Sequence, residues 1–194
     1  MMEIFLIQLT IIIIMNIYSY FTDGAATMVK ENGKYLRKEG GWAFILLING
    51  EKDSNQSGGC KLTTNNEMEL YAIYAAMSDF LDKSSPGDKI EIYTDSGYSI
   101  GIYTQWAKNW VKRGWRKSDG KTIENLRIVK KTWNMMKKIE DMGCEILFVK
   151  VKGHSNNVLN NEADELAVKA KNTAKRTGDT IGFNGRPDPL LGTK

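Results

Sequence analysis

Three strand patterns come in succession before any helix, and from there helices and strands alternate. That order restricts the fold of this chain more than any other feature. Residues 17–23 read as a strand, 42–48 as a second and very apolar one, and 58–63 as a short third; 24–41 is a long polar loop or hairpin turn and 49–57 a turn. Residues 66–81 place apolar side chains at helical spacing, and 89–94 form a fourth strand after the Ser84-Ser85-Pro86-Gly87 turn. Residues 96–142 are mostly helical with interruptions at Gly114 and Gly120, 145–151 is a fifth strand, and 161–171 a last helix. A meander followed by βαβ units predicts an α/β domain with a mixed sheet and helices packed on it.

The 194 residues suffice for one domain, and 42% hydrophobic content supplies a core. The spacing assigns 1–15 to an apolar N-terminal extension, 16–172 to the domain, and 173–194, with its run of glycines and prolines, to a flexible C-terminal tail. The apolar stretch 4–15 is too short and interrupted for a spanning helix and lacks a basic start: Glu3 precedes it and the first lysine is Lys30. It reads as an extra buried segment or an upstream extension with Met15 as the functional start, the alternative being a weak membrane anchor. Cys60 and Cys144 read as reduced thiols, which places the chain in the cytoplasm, and two cysteines exclude a disulfide scaffold or a multi-cysteine zinc site. The single histidine excludes any site that needs two imidazoles.

Two strand ends share a pattern, Tyr20-Phe21-Thr22-Asp23-Gly24 and Ile92-Tyr93-Thr94-Asp95-Ser96. An Asp before Gly or Ser is often only a turn residue. If the two strands are parallel neighbours, however, both carboxylates lie at the carboxyl end of the sheet, where open α/β sheets bind ligands. Thr64-Asn65-Asn66-Glu67 fits a capping box, which accounts for Glu67 but not for Glu69. Glu69 shares a helix face with Ala72, Ile73 and Ala76 and no basic residue, a costly place for a carboxylate without a cation. Asp164 shares a face with Ala167 and Val168, although an acid in a first helical turn also favours the helix dipole. His154, in a polar loop after the fifth strand, is suited to moving a proton near neutral pH. Hard oxygen ligands without a Cys/His cluster suit Mg²⁺ or Mn²⁺, and two such ions would serve phosphodiester hydrolysis.

From 108 to 138 there are eleven basic residues and two acidic ones, a local excess of +9 in a chain whose net charge is +4. Trp106, Trp110 and Trp115 are interleaved with Lys112, Arg113, Arg116 and Lys117, a footprint for a nucleic-acid backbone. A solvated helix face over core tryptophans is the plainer alternative.

Together these motifs resemble a type 1 ribonuclease H of the bacterial kind with a basic protrusion, over 17–171. Thr22-Asp23-Gly24, Gly40-Gly41-Trp42-Ala43, Thr63 through Leu70, Tyr93-Thr94-Asp95-Ser96, Val151-Lys152-Gly153-His154 and Asp164-Glu165-Leu166-Ala167 occur in family order, and Thr104-Gln105-Trp106 through Trp115 resembles the protrusion. The resemblance implies a ribonuclease H-like fold with a five-stranded mixed sheet flanked by helices. It implies endonucleolytic cleavage of the RNA strand of RNA–DNA hybrids with two Mg²⁺ ions, leaving 5′-phosphate and 3′-hydroxyl ends. It implies that Asp23, Glu69, Asp95 and Asp164 hold the metals, with Mn²⁺ a possible substitute, and that His154 assists proton transfer or product release. Thr64 would contact a DNA-strand phosphate, Asn65 and Asn66 would lie near the minor groove, and Asn160 near the last acid. A monomer without a stable protein partner is the family default. Gly97 stands where many relatives carry a long polar side chain, and Glu67 where some carry Arg. A binding module that holds hybrid without cutting would be expected to lack one of the acids, and an integrase-like or exonuclease chemistry would not need the Thr64–Leu70 motif.

Overall fold

The computed structural model describes residues 15–153 and 157–192. The apolar stretch before Met15 and His154 lie outside the described residues. Strand β1 (Ile17–Ala26) is the centre of a five-stranded sheet in the order β5-β4-β1-β6-β7. It pairs antiparallel with β4 (Lys38–Ile48) and parallel with β6 (Lys89–Thr94). The edges are β5 (Glu51–Thr63), antiparallel to β4, and β7 (Glu145–Lys150), parallel to β6. The mixed sheet expected from the sequence is therefore present.

The strand boundaries differ from the sequence reading. The polar stretch 24–41 is the end of β1, a small hairpin of β2 (Val29–Glu31) and β3 (Lys34–Leu36), and the start of β4. Strand β5 begins at Glu51, because its polar first half pairs with β4 at the sheet edge, where one side faces water and apolar alternation is not needed. Asn-Gly pairs with positive φ make both tight turns, at Asn32-Gly33 and Asn49-Gly50.

Alternation along β1 and β4 sorts the two faces. Tyr18, Tyr20, Trp42, Phe44 and Leu46 are buried with α1 (Asn65–Lys83) and α4 (Leu126–Asp141). Phe21 and Ile45 are buried with Ala163 of α5 (Val158–Thr177). Helix α5 can lie this close to β4 because Gly41 has no side chain: a Cβ there would come within 2.1 Å of the Ala167 carbonyl oxygen and 2.5 Å of the Lys171 nitrogen. The predicted helical stretch 96–142 divides into α2 (Gly97–Gly101), a π-helical turn (Ile102–Trp106), α3 (Ala107–Lys112), a loop over 113–125, and α4.

The segment 173–192, expected as a flexible tail, is packed. Helix α5 continues to Thr177, and the chain then crosses edge strand β5, with Ile181 N–H donating to the Gly59 carbonyl at 2.7 Å. The Trp42 indole donates to the Ile181 carbonyl at 3.1 Å, and the Tyr71 hydroxyl donates to Asp188 at 2.6 Å while accepting from Phe183 N–H at 3.0 Å. Leu190 and Leu191 end in the core. Glycine and proline give this stretch its bends; its leucines anchor it and cover part of a strand edge. Both cysteines are free and buried, and no helix among the described residues is long and apolar enough to cross a membrane.

Candidate active site

Asp23 follows Phe21 on one face of β1, and Asp95 follows Tyr93 just past the end of β6. The rings of Phe21 and Tyr93 stack at 4.5 Å and 13°, cross-strand partners in the parallel β1–β6 pair. This is the pairing needed to place both carboxylates at the carboxyl end of the sheet. Glu69 arrives from the second turn of α1. One carboxylate oxygen from each of Asp23, Glu69 and Asp95 fits within a mutual distance of 4.8 Å.

Asp164 stands outside that trio but lines the same cleft, with Asn65 and Asn160. Its position on α5 also disposes of the dipole explanation. The helix begins at Val158, capped by Asn157, so Asp164 is in the second turn and the first turn holds no acid.

The electrostatics of the cluster are unfavourable as it stands. Burial, then the Asp95 and Asp164 charges, pushes the Asp23 carboxyl up to about 7, against a single opposing hydrogen bond from Gly24 N–H at 2.6 Å. Burial and the charges of Asp23, Asp95 and Asp164 hold Glu69 well above the usual carboxylate range. Its Oε1 accepts from the Asn65 amide at 3.4 Å, while its Oε2 is buried without a partner. A buried, unpartnered carboxylate oxygen among two further carboxylates, in an all-oxygen donor set, fits a hard divalent cation.

The sequence model of the RNase H family matches residues 15–172, more than three quarters of the chain. The chain belongs to the RNase H family. It is 40% identical over 147 residues to the ribonuclease H of Hahella chejuensis, covering 76% of this chain and 88% of that protein. It is 36% identical over 148 residues to the ribonuclease H of Chlorobaculum parvum, covering 76% and 90%. In fold it is similar to LC9-RNase H1, described as a type 1 RNase H with the type 2 active-site motif, at a TM-score of 0.66 and 22% identity over 89% of this chain and 80% of that one. It also resembles LC11-RNase H1, solved in complex with an RNA/DNA hybrid, at a TM-score of 0.56 and 21% identity over 82% and 99%. The chain is thus a ribonuclease H enzyme by family, and the four acids named from its sequence meet in one cleft.

The remaining sequence-named residues of this RNase H chain fare unevenly. The capping box forms: the Thr64 hydroxyl accepts from Glu67 N–H at 3.3 Å, and the Thr64 backbone in turn hydrogen-bonds the Glu67 carboxylate. That carboxylate is buried, accepts from the Thr63 hydroxyl at 2.9 Å, and pairs with Arg37, which holds it in an otherwise costly place. Glu67 is thereby a structural ion-pair partner. Asn65 spends its amide on Ala26 N–H at 3.1 Å and on Glu69, so it steadies an acid and ties β1 to α1, while Asn66 is exposed. Asn160 is buried in the cleft wall with its Oδ1 unpartnered.

Of the three tryptophans read as nucleic-acid contacts, only Trp106 is exposed, at 39%. Trp110 and Trp115 are half-buried and pack against the core, and the Lys130 ammonium lies 5.4 Å from the Trp115 ring centre. Lys112 and Arg113 are exposed where α3 ends. Arg116 donates to the Gly120 carbonyl at 3.2 Å and Lys117 lies 3.9 Å from Glu124, within a loop closed by the Arg116–Thr122 bridge. Gly97 opens α2, and a Cβ there would lie 3.7 Å from the Lys150 ammonium, so a cation faces the space a longer side chain would take.

The sequence reading missed the Arg37 partner of Glu67 and the place of Lys171 in the acid cleft. Arg37 gave no signal, since its position depends on the β2–β3 hairpin. Lys171 did, seven residues after Asp164 on the same helix.

Proposed function

We propose that this chain cleaves the RNA strand of RNA–DNA hybrids endonucleolytically, with two divalent ions, leaving 5′-phosphate and 3′-hydroxyl ends. The observation that carries the reading is the trio Asp23, Glu69 and Asp95 within 4.8 Å, with a buried unpartnered oxygen on Glu69. Asp23, Glu69, Asp95 and Asp164 would hold the ions, Mg²⁺ in the first place and Mn²⁺ as substitute. Bound there, such ions supply positive charge to the reacting phosphodiester and favour ionisation of the attacking water. Asn65 fixes the Glu69 carboxylate through its amide, and Gly24 N–H fixes Asp23. Asn160, from the turn of α5 before Asp164, lines the same cleft, and its buried amide oxygen has no partner. His154 follows Gly153, whose Cβ position would lie 2.4 Å from Asp95 Oδ2, and would serve proton transfer or product release. Thr64 and Asn66 at the start of α1 would meet the duplex, with the 2′-hydroxyl as the mark of RNA. The protein would act as a monomer.

A gel assay on labelled RNA–DNA, RNA–RNA, DNA–DNA and single-stranded RNA tests the reading. With Mg²⁺, only the RNA strand of the hybrid is expected to be cut, and EDTA is expected to stop it. Cutting of RNA–RNA at a rate equal to that of the hybrid would overturn the substrate, and full activity in EDTA would overturn the metal.

Lys112, Arg113, Arg116 and Lys117 are proposed to bind backbone phosphates beside Trp106. Replacing all four with Gln should raise KM about tenfold or more in low salt. It should also flatten the dependence of log KM on log salt by about two to four, at roughly 0.7–0.9 for each phosphate no longer neutralised. An unchanged slope would mean that the basic loop does not touch the substrate.

A further inference from the structure

Lys171 is the one basic side chain among the described residues that line the acid cleft. It is half-buried, and among the described residues it forms no ion pair, although four carboxylates line the same cavity. The main influences on Asp23 and Glu69 are burial, other carboxylates and hydrogen bonds from Gly24 and Asn65, with no lysine among them. The helix dipole does not explain Lys171. The basic residues of the last turn of α5 are Lys175 and Arg176, whereas Lys171 is six residues from the end of the helix, beyond the reach of that effect.

Its place is fixed by packing. The Lys171 backbone nitrogen would be 2.5 Å from a Cβ on Gly41, so the backbone of α5 lies close against β4 at this residue. Lys171 stands two helical turns after Asp164, about 10 Å along the axis at ~1.5 Å per residue. Helical side chains lean towards the N-terminus, here towards Asp164. A lysine in such a place can lay its apolar stem along the helix and keep its ammonium in water, and Lys171 is half-buried in the cleft lining.

We propose that Lys171 binds a phosphate of the RNA strand flanking the scissile one, which makes it a substrate-positioning residue on the α5 side of the cleft. This rests on the reading that the acids cut RNA in a hybrid. A phosphodiester strand drawn across four carboxylates gains from a cation beside them that is not already neutralised, and Lys171 is placed to provide it.

The test uses Lys171→Met, which keeps the stem, and Lys171→Arg, which keeps the charge. In steady-state assays Lys171→Met is expected to raise KM about three- to tenfold, with the larger part of the effect in KM and not in kcat. In an Asp95→Asn background, where hybrid is held uncut, it should raise Kd by a similar factor and reduce the salt slope by about one, while Lys171→Arg restores both. A role confined to packing would leave the salt slope unchanged. Neutral methylphosphonate linkages placed one at a time should then find one RNA-strand position at which Lys171→Met has no further effect. Equal Kd and salt slope in the Met variant, or mapping to the DNA strand, would overturn the assignment. If wild-type protein cuts hybrid while the Met variant behaves like its parent, only the lysine assignment falls. If wild-type protein does not cut hybrid, the functional reading falls and the lysine assignment with it.

Discussion

Asp95→Asn is expected to abolish hybrid cleavage and at the same time to raise the melting temperature of the metal-free protein. Both effects come from one arrangement. Asp95 contributes one of three carboxylate oxygens within 4.8 Å, and its charge bears on both Asp23 and Glu69. Without a cation the cluster repels itself in a partly buried cleft, at about 3–4 kcal/mol for each pair in contact at an effective dielectric near 20, before protonation of Asp23 or Glu69 relieves part of it. Removing one charge should therefore stabilise the metal-free fold by on the order of 1–2 kcal/mol, or about 3–8 °C for a domain of this size. With a divalent ion present the sign reverses for the wild type. Saturation at about a hundred times Kd contributes about 2.7 kcal/mol, and the variant should lose most of that gain. Cleavage should fall by at least about 10³-fold, since the ions are asked to supply several kcal/mol at ~1.4 per factor of ten. The measurements are a calorimetric melt with EDTA and with Mg²⁺, and single-turnover cleavage. Activity within tenfold of wild type would remove Asp95 from the site. Loss of activity with a lower metal-free melting temperature would mean that Asp95 is structural.

This coupling of strain and function explains why the acids were the most legible part of the chain. A carboxylate that the fold does not need stands out against its surroundings. Glu69 broke the apolar stripe of its helix, and Asp23 and Asp95 stood in matched Thr-Asp patterns on parallel neighbouring strands. Structure explains none of these away, whereas it does account for Glu67 through Arg37 and Thr63. The sheet was legible for a related reason: β1 and β4 bury both faces, so their apolar residues had to appear in sequence. Less legible were elements whose stability comes from partners distant in the chain. The polar first half of β5 is a strand because β4 pairs with it, and 179–192 is ordered because Ile181, Asp188 and Leu190 find Trp42, Tyr71 and the core. No local window contains those partners. The interleaved tryptophans were ambiguous in the opposite direction. Cations beside aromatics look alike in sequence whether the ring faces solvent, as with Trp106, or the core, as with Trp110 and Trp115.

The closest approach in the site concerns a residue with no side chain, and it sets the second large expectation. A Cβ on Gly24 would come 2.2 Å from the Glu69 backbone nitrogen and 2.4 Å from the Met68 carbonyl carbon. These are atoms of helix backbone, which cannot turn aside as a side-chain tip can. Gly24 therefore sets how near β1 passes to α1, and so how near Asp23 stands to Glu69. Gly24→Ala must push α1 outwards or bend β1, and either movement opens the carboxylate trio by a sizeable fraction of an ångström or more. Overpacking of this kind costs about 1–3 kcal/mol and often more where backbone is the obstacle. A drop of at least about 5 °C in melting temperature is expected. Loss of the trio's geometry should cost activity beyond what stability explains, since a displacement of about 1 Å at a reacting centre costs on the order of 10²-fold. The two contributions separate at about 15–20 °C, near the maximum of a typical stability curve, where the variant is folded by circular dichroism. There, cleavage should remain at least about 30-fold below wild type, and the Mg²⁺-induced rise in melting temperature should be diminished. A Gly24→Ala protein with wild-type melting temperature and activity would show that α1 and β1 tolerate separation, and that the 2.2 Å approach does not hold the acids together.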